Sequence, residues 1–229
     1  NYVHDDTFSI VKGYQQERLQ RKMDTLRLPR LRRTIERFKG VHSSENELSR
    51  LETYLPELNN FQTSLGRQGA VALAGYRAGV TISANLTTGG FDTHGNHDQN
   101  QTNALDRLSV GLRELWDQVE AAGLEEKVVI FVSSDFGRTP GYNSGNGKDH
   151  WPITSMMLMG GGIRGNRVIG HTTHGHRAIP VNPETFEQDE DGIVLTPAHV
   201  HRALRERFGL NASNVVRDFP LSAELLPLL

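Results

Sequence analysis

The chain has 229 residues, 36% of them hydrophobic and 23% charged, with a net charge of -2; that length can bury the core of one large domain or of one and a half small ones. The near-neutral balance makes no general case for a nucleic-acid partner or an acidic membrane surface, and no apolar run approaches the roughly 18 residues of a membrane span. With no cysteine in the chain, disulfides and thiolate metal sites are excluded, leaving His, Asp and Glu as the metal ligands on offer.

The opening NYVHDD has neither an initiator Met nor an apolar leader core, so the chain reads as processed or partial. Residues 1–60 read as a charged helical segment that packs on, or is inserted into, the domain that follows. Nine Lys or Arg fall between Arg18 and Lys39, and Leu19, Met23, Leu26, Leu31, Ile35 and Phe38 recur at helical spacings around a break at Pro29. Such a stretch is either a polyanion contact or a solvated helical face, and the solvated face is the simpler expectation. Arg32 and Arg33 are followed by no apolar segment, which excludes a twin-arginine leader there. Ser44, three residues before Glu47, predicts a capped helix.

From residue 61 to 229 the pattern alternates. GRQGAVALAGYRAG predicts a helix ending at Gly79, and VTISANLTTGG a buried strand of β-branched residues. Leu105, Leu108, Leu112, Leu115, Trp116 and Val119 mark one face of a helix over residues 101–122. KVVIFVSSD and ITSMMLMGGG predict a second and a third apolar strand. Strand, helix and strand with continuous apolar strands point to an α/β fold, a mainly parallel sheet between helical layers, with ligands bound at the strands' carboxyl ends.

Chemistry-bearing residues gather at those ends. GGFDTHGNHDQN places Asp92 and His94 after the first strand, Asp135 follows the second, and a loop rich in Gly and Asn leads to Asp149 and His150 ahead of the third. Mixed carboxylate and imidazole ligands suit a divalent metal ion such as Zn, Mn or Fe. A cation there suits hydrolysis of a charged ester, because it activates a nucleophile and neutralises developing charge. Arg138 offers a bidentate clamp for phosphate or sulfate oxygens. The bland alternative is a set of Asx-turns and N-caps with hydrogen-bonded histidines. Asn96 or Asp98 is expected to cap the long helix, beside His97. His171, His174 and His176 either line the site's mouth or form a polar hairpin, the hairpin being the simpler expectation. Thr196 and Pro197 predict a helix start, with His199 and His201 on the helix surface.

In chain order, GGFDTH.N, SSDFGRTP, G.GKDHWP and LMGGGIRG..VIG resemble a bacterial sulfatase-like family, domain of unknown function fifteen-oh-one, within the alkaline phosphatase superfamily. The resemblance covers about residues 62–210. It implies the carboxyl-terminal part of an alkaline phosphatase-like sandwich, and twin-arginine export to the periplasm or beyond. It further implies a divalent ion (Zn, Mn, Ca or Fe), with Asp92 and His94 at a first metal site, His150 as its late histidine, and Asp135 at a second site with Arg138 and Thr139 beside it. Two departures stand out. Asp135 is followed by Phe136 where an Asp-His pair is usual, and nothing in residues 1–60 resembles the segment that carries the superfamily's nucleophile. Thr87, Thr88, Ser133 and Ser134 are hydroxyls near strand ends, where such residues are commonly structural. The expected function is a metal-dependent hydrolase of phosphate or sulfate esters, with a separate or additional N-terminal segment completing the domain. The alternative is a non-catalytic exported metal-binding protein that binds an anionic polymer or a partner protein.

Overall fold

The computed structural model describes residues 50–211 and 213–229, together with the separate positions 13, 14, 17, 18, 20, 21 and 24. The chain divides into two units, 1–86 and 87–229. In the first, the described positions of the basic stretch are helical and exposed, with Arg21 and Glu17 one turn apart at 3.8 Å. The break at Pro29 and the cap at Ser44 and Glu47 lie outside the described residues, although residues 50–54 are helical.

Helix α1, Ser64–Arg77, begins where the Thr63 hydroxyl accepts the Gly66 N–H at 2.9 Å, satisfying one of the donors a helix start leaves unpaired. It buries a stripe of mostly small residues, Leu65, Gly66, Gly69, Ala70, Ala74 and Gly75, and ends at Ala78 and Gly79. The segment from Val80 to Gly90, expected to be a buried strand, has no strand at all, and Ile82 is 96% exposed. β-branched composition favours a strand only where a neighbouring strand and a covered face exist; among the described residues this segment has neither.

The second unit holds helix α2, His97–Ala121. Its buried residues are Ala104, Gly111, Leu115 and Val119, with Leu108, Leu112 and Trp116 half-buried beside them. The predicted stripe is therefore right except at Leu105, which is 47% exposed because Ala104 faces inward in its place. Fully burying side chains such as Leu115 and Val119 stabilises by about 2 kcal/mol each.

Strand β1, Val129–Val132, and strand β4, Met157–Gly160, coincide with the two remaining predicted strands. They pair antiparallel, from Val129 opposite Gly160 to Val132 opposite Met157. β2, Gly137–Arg138, pairs antiparallel with β3, His150–Trp151, and β5, His171–Thr172, with β6, Ala178–Ile179. Helices and strands are thus both present, but every ladder among the described residues is two-stranded and antiparallel, in place of the expected parallel sheet. An apolar run specifies burial, not the direction of its partner; β1 and β4 use it in a half-buried ribbon.

A separate core gathers Ala203, Leu226 and Leu228 against Ile169, Phe186, Ile193, Leu195 and Val200. Ala203 belongs to helix α3, Pro197–Arg207, and a short helix α4, Asn214–Asp218, follows. Thr196 and Pro197 start α3 as expected. His199, expected on the surface, is only 8% exposed, because its Nδ1 accepts the Thr196 backbone N–H at 3.0 Å and closes the helix start. His201 is exposed, edge-on to Phe131. Among the described residues no helix is long and apolar enough to cross a membrane.

Candidate metal centre

Two loops of the second unit are stitched together to form the site. Asp92 and His94 are exposed while Thr93 between them is 2% exposed, the alternation expected of an extended run. The Thr93 hydroxyl and His97 Nδ1 are 2.7 Å apart, which ties this run to the first turn of α2. Asn96 caps that helix by position only: its backbone is left-handed at φ 45° and its side chain caps nothing. The His97 N–H donates instead to the Asn146 carbonyl at 2.8 Å, and Gly95 bridges Asn146. Asp98 accepts the Tyr142 hydroxyl at 2.6 Å.

Asn143 joins the two loops. Its amide nitrogen donates to the His94 carbonyl at 3.1 Å and to Asp149 Oδ1 at 3.0 Å, while its oxygen accepts the Gly145 and Gly147 N–H groups, both at 2.9 Å. Gly147 lets the loops touch, since a Cβ there would sit 1.9 Å from the His94 carbonyl oxygen. The β2–β3 pairing then sets Arg138 opposite His150.

One donor atom each from Asp92, His94 and His150 converges within 4.8 Å. Asp92 Oδ1 lies 3.1 Å from His94 Nε2 and 3.6 Å from His150 Nε2, and the two Nε2 atoms are 3.0 Å apart. Ligands about 2.0–2.1 Å from a tetrahedral ion are about 3.3–3.4 Å from one another, so the triangle is of the size a divalent ion needs. The tautomer of His94 agrees. Its Nδ1 lies 3.0 Å from Asp149 Oδ1, so Nδ1 carries the proton and donates, leaving the Nε2 lone pair toward the triangle. That is the carboxylate–imidazole arrangement that orients a metal-binding histidine. A lone pair on Nε2 and the Asp92 oxygen repel each other at 3.1 Å unless positive charge lies between or beside them.

Arg138 supplies some of that charge. Its side chain is 13% exposed and its guanidinium donates to Asp92 Oδ1 at 2.8 Å, the Phe91 carbonyl at 2.9 Å and the Lys148 carbonyl at 3.0 Å. The Arg138 hydrogen bond holds the Asp92 carboxyl below the usual carboxylate value, and hydrogen bonds from His94 and Asn143 do the same for Asp149. Burial, then the charge of Lys148, holds His97 below an ordinary imidazole. All three shifts have one sign. Below about pH 6.5 the unfolded chain binds more protons at His97 than the folded one, so stability present above that pH falls as the pH drops through the native value; Asp92 and Asp149 add the same trend at lower pH. The urea midpoint should therefore fall between about pH 7.5 and about pH 5.5, and His97→Gln should flatten the slope. An identical slope in that variant would remove His97 from the account.

Of the six residues expected in the site, Asp92, His94 and His150 meet directly, Asp149 stands behind His94, and Arg138 binds Asp92. Asp135 is exposed and contributes no atom to the converging group. Phe136, beside it, stacks on the His150 ring with centroids 3.8 Å apart. Ser134 donates to the Phe136 carbonyl. The segment from His171 to Ile179 is a hairpin, anchored where Trp151 donates its indole N–H to the His176 carbonyl at 2.7 Å. Asn143 and Thr93 were not singled out from the sequence; the turn-forming run NSGNG was the only hint of the first.

Over residues 9–209 the chain matches the model of the family described as Protein of unknown function (DUF1501). No curated protein and no solved structure matches it. The domain of unknown function is the one the motifs pointed to, but its sulfatase-like and superfamily reading is corrected. The family's description names no activity, nothing in the match links it to sulfatases or to the alkaline phosphatase superfamily, and the matched stretch begins at residue 9 rather than 62, taking in the basic segment.

Proposed function

The chain belongs to the DUF1501 family, and on that premise we propose that it is a metal-dependent hydrolase of phosphate or sulfate esters, with Asp92, His94 and His150 holding the cation. The observation that carries this is the convergence of three donor atoms whose central imidazole is already oriented by Asp149. Two imidazoles and a carboxylate suit Zn, Mn or Fe better than Ca. When bound, such an ion supplies Lewis acidity and neutralises charge on the ester. The chain's own residues do the rest of the positioning. Asp149 fixes the His94 tautomer, Asn143 fixes Asp149, and Arg138 keeps Asp92 ionised. With three of its five N–H donors on Phe91, Asp92 and Lys148, and Nη1 3.5 Å from His94 Nε2, Arg138 acts here as a positioning residue rather than as a free clamp.

Metal-loaded protein should hydrolyse an aryl phosphate or an aryl sulfate and lose that activity to a chelator. Metal-loaded protein inactive on both would remove the hydrolase proposal and leave the second reading, a non-catalytic metal-binding protein that takes an anionic polymer or a partner protein. Two observations favour that second reading. Phe136 covers one face of His150, and of the hydroxyls nearby Thr93 is buried against His97 and Ser134 is bonded to the Phe136 carbonyl. Metal-dependent retention on heparin is its test.

The proposal extends to two further points. A separate fragment that adds strands to the half-buried β1–β4 ribbon would complete a larger sheet, mixed rather than parallel because β1 and β4 run antiparallel. Export to the periplasm or beyond is the proposed location, tested by fractionation of the producing cell.

A further inference from the structure

We propose that a small oxyanion binds beside the metal triad, in a subsite built on Arg107; the proposal rests on the metal-dependent function above and supplies its anion-binding residue. The cavity has a volume of about 270 Å³ and is lined by Gly90, Asp92, Thr93, Asn100, Asn103 and Arg107. That is just below the range of about 300–1,000 Å³ that holds whole drug-sized ligands, with room for one phosphate or sulfate group and its water. Asn100, Asn103 and Arg107 follow one another at helical spacings along a single face of α2.

The donors are available. Asn103 uses its oxygen to accept from Gln99 at 3.0 Å, which leaves its amide N–H groups to donate. Arg107 has no carboxylate or carbonyl partner among the described residues, in contrast to Arg138. Its guanidinium lies directly over Gly90, where a Cβ would stand 2.3 Å from the Arg107 Nη2 atom. Gly90 has φ +98°, so this position is closed to other residues on backbone grounds as well. An unpaired planar guanidinium with an amide beside it is the donor set that tetrahedral oxyanions take up.

Asp92 sets the condition for binding. The residue lines the cavity and gives a carboxylate oxygen to the triad, so in the metal-free chain its charge repels an incoming anion. A divalent ion on Asp92, His94 and His150 reverses the local charge, and the anion then lies between that ion and Arg107. Metal and oxyanion therefore strengthen each other's binding by the same factor.

The test is calorimetric titration of inorganic phosphate into the full chain, loaded with one equivalent of Zn or treated with chelator, beside Arg107→Gln and Arg107→Lys, with elemental Zn measured in every sample. Zn-loaded wild type should bind phosphate, Arg107→Gln should weaken it at least about tenfold with Zn content unchanged, and Arg107→Lys should weaken it less. Phosphate affinity equal in wild type and Arg107→Gln, or no phosphate binding by Zn-loaded wild type, would overturn the subsite. A chain that holds no Zn overturns the metal triad. In that chain Asp92 keeps the subsite closed to anions, so the subsite falls with the triad, and the measured Zn content separates this outcome from loss of the subsite alone.

Discussion

His150→Ala is expected to lower the affinity for a divalent ion by at least about 10²-fold and to leave the purified protein with little bound metal. The reason is arithmetic on the ligand set. Only three donor atoms converge among the described residues, and the loss of one leaves Asp92 and His94, too few to outcompete water and common chelators. Asp149→Asn, which removes no ligand but weakens the hold on His94 and on the Asn143 amide, should cost about 10–100-fold. Elemental analysis and competition with a chromogenic chelator measure both. The wild-type thermal midpoint should also rise with metal concentration, by the equivalent of about 2.7 kcal/mol at a hundredfold excess over Kd, and the midpoint of His150→Ala should not. Full metal content in His150→Ala would show that the ion sits elsewhere.

Gly147→Ala is the second large effect, and it acts through the backbone. The added methyl would meet the His94 carbonyl oxygen at 1.9 Å, its carbon at 2.0 Å and the Gly95 nitrogen at 2.5 Å. None of these is the end of a flexible side chain, so the two loops must part. That breaks the Asn143 hydrogen bonds to Gly147 and to the His94 carbonyl and pulls His94 away from His150. We expect a loss of about 3 kcal/mol in stability and loss of metal binding together. Gly141→Ala is the control, because a Cβ there meets nothing within 4 Å. A Gly147→Ala protein with wild-type stability and metal content would mean that the loops are held by contacts other than these.

The sequence was informative where local rules decide the outcome. The α1 end at Gly79, the long α2, the Thr196–Pro197 start of α3 and the hairpin after His171 follow from capping, periodicity and turn residues, which depend on near neighbours. The direction of strand pairing does not. VIFV and MLMG are as compatible with a parallel sheet as with the antiparallel ribbon observed, and nothing local distinguishes the two. Burial failed for the same reason at Ile82, whose β-branched neighbours have no strand to join. In the site, Asp92, His94 and His150 were legible from residue type and their place next to predicted strands, although His150 itself lies in β3. The different station of Asp149 was not, because whether a carboxylate meets the metal or its histidine is a matter of about 3 Å. Asn143 carries only the signature of its turn and Arg107, an arginine on a helix, none, because the neighbours that each meets come from elsewhere in the chain.

The three converging side chains lie open to solvent, Asp92 at 75% exposure, His94 at 46% and His150 at 52%. An ion seated on such a rim has water on one side and no closed cage to hold it, so exchange with the medium is fast. Its identity is then set by supply rather than by the protein, with Cu and Ni ahead of Zn, and Mn last, in intrinsic affinity for nitrogen and oxygen donors. A nickel affinity column or a chelating buffer would therefore rewrite the occupant before any assay began. Any metal that the protein carries in the cell is best read from protein captured without either.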